Sequence, residues 1–349
     1  MILDDDQREL VATVRALLAK HAATRQAIDS DSGYDEKLWN LLCNQVGVAA
    51  LAIPEEFGGV GASVVESNLV LEDLGAVLAA TPMLGSAVLG AQALLAIGDT
   101  DACTRLLPGV AEGTTDVALC WASRTGWGDP TVTATDGQLT GTTHYVLDAG
   151  RASTFVVVTD AGFYETDTAT VEVVSGMDPT RRFGQVSFDR TAAHKLECAD
   201  PTAALARIRD VAITAVAAEQ VGAAARCLAD TVEYTKTRIQ FGRPIGSFQA
   251  LKHRMADLYT LVETARSASY AATQALATGA PTLSEDAAVA KVYCSEAFSA
   301  VAGEAIQLHG GVAITWEYDT HLYFKRAHGD SQLFGQPEWY VQRLRPVHG

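Results

Sequence analysis

The stretch RIQFGRPIGSFQ, residues 238–249, lies between two long helical patterns and decides how the rest of the sequence is interpreted. Gly242 and Pro244 predict a turn, because glycine and proline interrupt the helical period. Arg238 is therefore expected at a helix end, where its planar guanidinium can offer a charged fork to phosphate oxygens. The alternative is an ordinary turn beside a solvated arginine, and this stretch taken alone favours that alternative.

A second short motif, QLHGG at residues 307–311, closes a later helical pattern. The pair Gly310-Gly311 lets a backbone approach a ligand closely, because glycine carries no side chain. Gln307 lies one helical turn earlier and is expected on the same side. The alternative is a plain glycine helix end, with a helix-end hydrogen bond for His309.

The predicted secondary structure changes twice along the chain, and both motifs lie in its last part. Helical patterns dominate residues 1–110, and short β-branched or aromatic runs separated by Gly, Asp and Thr follow over about 115–200. The remainder is helical and alanine-rich, which is typical of a closely packed bundle. We therefore predict an α, β, α order of domains, with boundaries at 1–113, 114–200 and 201–349.

Long helices are predicted in the C-terminal part. The first covers roughly 203–236 and the second roughly 248–278. Ser284 is the expected N-cap of a third helix, because serine accepts a hydrogen bond from a free N–H at a helix start. The region 325–335 is interpreted as a loop after that helix, with Asp330 as a surface acid.

The composition limits the class of protein. The chain has 349 residues, 48% of them hydrophobic, and its formal net charge of -16 argues against a nucleic-acid binder or a basic membrane-surface protein. The sequence suggests no signal peptide, and no apolar run near the roughly 20 residues of a membrane span is expected. The six cysteines form no CxxC pair, so a reduced, metal-free and cytoplasmic protein is expected.

The helix–sheet–bundle order and the two motifs together resemble the acyl-CoA dehydrogenase family over nearly the whole chain. IPEEFGGVG at 53–61 is similar to the family's N-terminal loop, and LTG at 139–141 with YVLDA at 145–149 is similar to its central β segment. The resemblance implies an α+β fold with an N-terminal helical domain, a central β-barrel or sandwich and a C-terminal four-helix bundle.

The same resemblance implies FAD as cofactor. In the family the two motifs reach across a dimer interface to the FAD of a neighbouring subunit, which implies an oligomer here. Arg238 would meet the pyrophosphate and Gln249 the adenosine portion. The residues that the resemblance gives to FAD binding are Arg238, Phe241, Gln249, Gln307, Gly310 and Gly311.

The catalytic base of the family is missing from its two expected positions. That base is a carboxylate that removes the α-proton of the acyl-CoA thioester. Phe334 stands at one position and Ala212-Ile213 at the other, and none of these side chains ionises. Asp210 is the alternative base, although a solvated acid at a helix start is the favoured interpretation of this residue.

The flavin side is altered as well. Tyr145 and Leu147 stand where the family usually places a Trp and a Thr, and a leucine side chain donates no hydrogen bond. Residues 120–127 match the family's Thr/Ser-rich flavin loop poorly. The chain therefore keeps the elements that reach into a neighbour's site and lacks those that build its own.

This combination is similar to the base-lacking subunit of actinobacterial heterotetrameric dehydrogenases that act on steroid side-chain CoA thioesters. The resemblance implies α,β-dehydrogenation of an acyl-CoA, with no catalytic residue in this chain. A second acyl-CoA dehydrogenase-like subunit, in an α2β2 assembly, would supply the glutamate, and an electron-transfer flavoprotein would accept the electrons. The alternatives are a homotetramer that uses Asp210 and a non-catalytic scaffold relative.

Overall fold

Helices precede and follow a central group of strands in the computed structural model, which describes residues 3–344. The helices are α1 (Asp5–His21), α2 (Thr24–Asp29), α3 (Glu36–Val46), α4 (Val64–Ala76), α5 (Ala91–Ile97), α6 (Thr100–Ala111), α7 (Pro201–Thr237), α8 (Gln249–Thr278), α9 (Leu283–His309), α10 (Thr320–Gln332) and α11 (Pro337–Leu344). The strands are β1 (Val117–Cys120), β2 (Val132–Thr135), β3 (Gln138–Leu147), β4 (Thr154–Thr159), β5 (Gly162–Thr166), β6 (Thr170–Val174), β7 (Phe183–Ala192), β8 (His194–Lys195), β9 (Ile239–Gln240) and β10 (Arg243–Pro244). The predicted α, β, α order is confirmed.

The chain forms two compact units, and the division falls within α4, between residues 79 and 80, and within α7. The sheet unit comprises residues 4–70 and 80–212, and the bundle unit comprises mainly residues 71–79 and 213–344. The three-domain division with boundaries at 113 and 200 remains a prediction.

Two four-stranded sheets form the β part of the sheet unit. Their strand orders are β1-β4-β5-β8 and β2-β3-β7-β6. Along β7 the buried residues Gly184, Val186 and Phe188 alternate with more exposed ones, as the two-residue period of a strand requires. The buried side chains of the two sheets share one hydrophobic core, which includes Ala118, Cys120, Val132, Leu139, Val146, Val157, Val186 and Phe188.

Small residues let the helices of the bundle unit approach closely. The core between α7, α8 and α9 contains Ala217, Val221, Ala265, Ala272, Ala290, Cys294 and Ala297. At the crossing of α4 and α7, a Cβ on Gly222 would lie 1.7 Å from the carbonyl oxygen of Glu72. A Cβ on Gly75 would lie 2.2 Å from the carbonyl oxygen of Glu219. Both positions therefore require glycine.

The helix boundaries agree with the sequence within two residues, but the predicted N-cap of α9 is wrong. This helix begins at Leu283, so Ser284 lies inside its first turn. The carbonyl of Thr282 already accepts the N–H groups of Glu285 at 3.0 Å and Asp286 at 2.9 Å. Helical hydrogen bonding therefore starts before Ser284 and leaves it no capping role.

Helix α7 is long and apolar enough to span a membrane by length and composition. Its apolar 18-residue window has a mean hydropathy of 1.3, so the expectation that no run approaches this length is wrong. The window is 89% buried, which is typical of a core helix. Hydropathy alone does not separate the two cases, because both need apolar side chains on every face.

A buried carboxyl group links β3 to the N-terminal helices inside the sheet unit. Asp148 is 6% exposed, and the Tyr34 hydroxyl donates to its Oδ1 at 2.8 Å. A Cβ on Gly85 would lie 2.2 Å from Asp148 Oδ2, so a side chain there would displace the carboxyl group. Burial raises the pKa of Asp148 to about 7, although the Tyr34 hydrogen bond and the charge of Arg181 act to lower it.

Replacing Asp148 by Asn should flatten the pH dependence of stability. The raised pKa means that the folded protein holds the proton more tightly, so this stabilisation is full below the ordinary pKa of 3.8 and is lost as the pH rises to about 7. The wild-type free energy of unfolding should fall by up to about 1.4 kcal/mol per pH unit over this window relative to Asp148→Asn. Asparagine keeps the acceptor and tolerates the φ of 57°.

Urea unfolding at pH 5, 6, 7 and 8 measures this difference. Asp136→Asn is the control, because Asp136 also has a positive φ, of 50°, but is exposed. Parallel pH profiles for wild type and Asp148→Asn would show that the buried carboxyl does not titrate in this range.

Candidate functional site

The arginine motif folds as a short β-hairpin at the end of α7. Strand β9 pairs with β10 in the register Gln240 with Arg243. Phe241 and Gly242 form the two-residue turn with φ of 54° and 75°, which is typical of a type I′ turn. The predicted turn is confirmed, and the hairpin strands were missed. Their signal was an X-Gly pair between two short runs, which is a hairpin pattern.

The hairpin presents its side chains to solvent. Phe241 is 92% exposed and Ile239 is 53% exposed. Arg238 is exposed as well, and its guanidinium has no ion-pair partner within residues 3–344. The Arg243 guanidinium instead lies 4.0 Å from the centre of the Phe248 ring. The motif therefore offers a free cation and an uncovered aromatic ring to a ligand or to another chain.

Gln249 begins α8 as predicted and is exposed beside the hairpin. Its side-chain nitrogen lies 3.1 Å from Nε2 of His253, one turn later. In the next turn Arg254 pairs with Glu304 of α9 at 2.6 Å. The start of α8 therefore lies close to the last turns of α9, where the second motif follows.

The glycine motif ends α9 and leaves open space around it. Gly310 has φ 63° and ψ −143°, a conformation that other residues rarely adopt. A Cβ at Gly310 or at Gly311 would meet nothing within 4 Å, and Gln307 is exposed. The helix-end hydrogen bond expected for His309 is confirmed, since its Nδ1 donates to the Ala305 carbonyl at 2.8 Å.

The two motifs lie at the same end of the bundle unit. Tyr234, in the last turn of α7, stacks on the ring of His309 with centroids 4.1 Å apart. Arg238 follows Tyr234 by one helical turn and Gly310 follows His309 directly. All of the residues expected to bind FAD are thus exposed at one end of the bundle unit: Arg238, Phe241, Gln249, Gln307, Gly310 and Gly311.

Neither expected position of the base carries an ionisable side chain. Ala212 and Ile213 are buried within α7, with 0% and 1% exposure. Phe334 is 4% exposed, has φ 61° and follows α10 in a turn. The Tyr340 hydroxyl donates to the Phe334 carbonyl at 2.6 Å. A bulky residue with this φ is strained, so the fold holds the phenyl ring inward at a conformational cost.

The interpretation of residues 325–335 as a loop with a surface acid is wrong. Helix α10 continues to Gln332, and Asp330 on it is only 1% exposed. The buried Lys291 of α9 donates to the Asp330 carbonyl at 2.5 Å and to the Ser331 carbonyl at 3.3 Å. The sequence offered no clear signal for the burial of Asp330. A segment with several charged residues is typical of a solvated surface, and only the packing of α9 against α10 buries this one.

The interpretation of Asp210 as a solvated helix-start acid is also wrong. Asp210 is 7% exposed and lies well inside α7, in the sheet unit. Burial lowers the pKa of Arg207, and the charge of Asp210 acts to raise it. A role for Asp210 as the base stays a hypothesis.

Neither of the two residues expected on the flavin side has a side-chain donor left for a ligand. The Tyr145 hydroxyl donates to the Arg124 carbonyl at 3.0 Å, and Leu147 is 6% exposed. Trp121, which sequence reasoning did not single out, is 3% exposed with the Arg209 guanidinium 5.4 Å from its ring centre.

Comparison with known proteins identifies the same parts of the chain. The family description "Acyl-CoA dehydrogenase, N-terminal domain" matches residues 4–114, and "Acyl-CoA dehydrogenase, C-terminal domain" matches residues 210–344. Acyl-CoA dehydrogenase IpdE2 of Mycobacterium tuberculosis is 45% identical over 345 residues, which cover 97% of this chain and 96% of that protein.

Solved structures of related proteins match the fold over the same length. A variant of the Tcur3481-Tcur3483 steroid ACAD is 30% identical with a TM-score of 0.88 and covers 97% of this chain and 96% of that chain. A chain of the ChsE4-ChsE5 complex from Mycobacterium tuberculosis is 26% identical with a TM-score of 0.90. The match covers 98% of this chain and 97% of that chain. Both matches extend through the sheet unit and the bundle unit.

The two glycines of the second motif should respond differently to alanine. Gly310→Ala should lower the free energy of unfolding by about 1–3 kcal/mol, because alanine is strained at its positive φ. Gly311→Ala is the matched control and should change stability little, since its Cβ enters open space. Urea unfolding of both variants measures the difference. Equal losses would contradict a conformational need for glycine at 310 alone.

Proposed function

Because the chain belongs to the acyl-CoA dehydrogenase family, whose cofactor is FAD, we propose that it is one subunit of a heteromeric enzyme whose other subunit supplies the catalytic glutamate. The proposed reaction is the α,β-dehydrogenation of an acyl-CoA to a 2-enoyl-CoA. One observation carries this proposal: all of the residues proposed to contact FAD are exposed in the bundle unit, yet Phe334 and Ala212-Ile213 stand where the family's base is expected. The likeness of this chain to a steroid ACAD supports a steroid side-chain CoA thioester as the proposed substrate.

The exposed motifs fit a bound dinucleotide. The unpaired guanidinium of Arg238 can neutralise pyrophosphate charge, and the exposed amide of Gln249 can hydrogen-bond the adenosine portion. Gly310 and Gly311 leave space for close approach of a ligand to the backbone, with Gln307 beside them. The exposed ring of Phe241 can pack on an aromatic ring of the ligand. When bound, FAD supplies the acceptor for the β-hydride of the acyl chain.

The other subunit is proposed to supply what this chain's sheet unit lacks. The Tyr145 hydroxyl already donates to a backbone carbonyl and the Leu147 side chain has no donor, so neither side chain donates a hydrogen bond to a flavin nitrogen in this arrangement. An α2β2 assembly brings together the exposed motifs of this chain and the sheet unit of its partner. An electron-transfer flavoprotein is the proposed electron acceptor. A cytoplasmic location agrees with the six unpaired cysteines.

Arg238→Ala should strip FAD from the assembled enzyme. Loss of a charge-assisted phosphate contact of about 1.5–3 kcal/mol corresponds to roughly ten- to hundredfold weaker FAD binding. Arg226→Ala is the matched control on the same helix, because Arg226 makes an exposed ion pair with Asp230 at 2.9 Å.

The divided site is tested by purifying the chain alone and after co-expression with a second acyl-CoA dehydrogenase-like subunit. Flavin absorbance per chain and acyl-CoA-dependent dye reduction are recorded for both preparations.

The proposal expects little flavin in the chain alone and roughly one FAD for each pair of unlike chains in the complex. A yellow, active protein from this chain alone would refute the divided site and favour the homomeric alternative. Absence of flavin in both preparations would favour the scaffold alternative.

Asp210→Asn tests the homomeric alternative directly. If the site is divided between the subunits, turnover of the complex with Asp210→Asn should stay within about twofold of wild type. The reason is that the glutamate of the other subunit takes the α-proton of the acyl-CoA. A loss of about 10² to 10⁴ in turnover, the usual effect of removing a general base, would instead identify Asp210 as the base. Steady-state kinetics with saturating acyl-CoA distinguishes these results, and flavin content confirms that the variant is assembled.

A further inference from the structure

We infer that Tyr234 and His309 form an aromatic clamp that holds the ends of α7 and α9 together and so positions the FAD-contacting residues of both motifs. The inference rests on the FAD-binding role proposed above. Both residues are buried, with 8% and 6% exposure. Because both side chains are this deeply buried, we assign Tyr234 and His309 a positioning role and no direct contact with the ligand.

The clamp consists of two different contacts between the same pair of residues. The rings of Tyr234 and His309 stack with centroids 4.1 Å apart and planes inclined by 17°. The Tyr234 hydroxyl also donates to the His309 backbone carbonyl at 3.3 Å. One contact fixes the side chain of His309 and the other fixes its backbone, so the end of α9 is held in both position and orientation.

Each half of the clamp is bonded to one motif. The Arg238 N–H donates to the Tyr234 carbonyl at 2.9 Å, and the Ile245 N–H donates to the Arg238 carbonyl at 2.8 Å, which ties in the hairpin. On the other side, Gly310 follows His309 directly. A shift of Tyr234 relative to His309 therefore displaces Arg238 relative to Gly310.

The histidine ring is itself held from two sides. Its Nδ1 donates to the Ala305 carbonyl at 2.8 Å, and Tyr318 packs edge-on against both clamp rings at 5.3 Å. Burial lowers the pKa of His309, which favours the neutral form of the buried ring.

The motifs need such a clamp because their own side chains do not anchor them. Phe241 is 92% exposed, and a Cβ at Gly310 would meet nothing within 4 Å. Packing of Phe241 and Gly310 themselves therefore contributes little to their placement. The buried pair behind them joins the end of α7 to the end of α9, in addition to the more exposed Arg254–Glu304 ion pair between α8 and α9.

Tyr234→Leu in the co-expressed complex tests the clamp, because leucine fills the core but removes the stack and the hydroxyl. FAD affinity should weaken at least about tenfold, and the visible circular dichroism of any retained flavin should change. Tyr234→Phe keeps the stack and should restore affinity to within about threefold. Tyr323→Leu is the matched control, since Tyr323 is 6% exposed and its hydroxyl also donates to a backbone carbonyl, that of Ala76 at 2.8 Å.

The two tyrosine-to-leucine variants should lose similar free energies of unfolding, but Tyr323→Leu should leave FAD affinity and the flavin spectrum as in wild type. Equal weakening of FAD binding in both would overturn the clamp and leave only a general packing role. If Tyr234→Leu does not fold, His309→Gln removes the ring, retains a donor for Ala305 and should weaken FAD binding in the same way. Retained affinity in that variant would also overturn the clamp.

Arg238→Ala in the same assay separates failure of the clamp from failure of the proposed function. If Arg238→Ala strips FAD and Tyr234→Leu does not, the FAD-binding role stands and the clamp is refuted. If neither variant affects FAD, the FAD-binding role itself is refuted.

Discussion

The backbone contact between α4 and α7 is the constraint on which the bundle unit depends. Gly75 and Gly222 face the backbone of the opposite helix, and any side chain at either position would overlap a carbonyl oxygen. The contact places the buried carboxylate of Glu72 where Arg266 of α8 can pair with it. Because an α-helix is stiff, fixing α7 at Gly222 also fixes its end at Thr237, about 22 Å further along. The path of α7 towards the arginine motif thus depends on two residues that have no side chains, and the Tyr234–His309 contact acts at the end of that path.

The fold could be predicted from the sequence to a large extent, because the signals are local. Periodicity located α7 and α8 within two residues, and β-branched runs located the β part of the chain between about residues 115 and 200. The N-cap of α9 was misplaced because Ser284 has the right chemistry, whereas the first helical hydrogen bonds form at Thr282. The length of the apolar run in α7 was underestimated. Its burial under the neighbouring helices, which identifies it as a core segment, is visible only in the structure.

The candidate site could be predicted only in part, for a physical reason. Arg238 and Gly310 carry their own conformational signals, a helix end and a positive φ. Burial of Asp210 and Asp330 depends on which helices cover them, and a charged residue gives no sequence signal for that. Lys291 illustrates the point: a buried lysine that donates to the last carbonyls of α10 is indistinguishable in sequence from a solvated one. The local conformation of Arg238 and Gly310 was therefore easier to predict than the burial of Asp210, Asp330 and Lys291.

The hairpin that carries Phe241 also affects the fate of a newly made chain. An isolated copy displays an almost fully exposed phenyl ring and an exposed isoleucine beside it on a short strand pair. Exposed apolar side chains next to free strand edges are features that chaperones and proteases bind. Synthesis of this chain in excess of a partner that covers the hairpin would produce orphan subunits that are degraded or aggregate. The two subunits of the proposed enzyme would therefore be under selection for balanced production, as genes of one operon are.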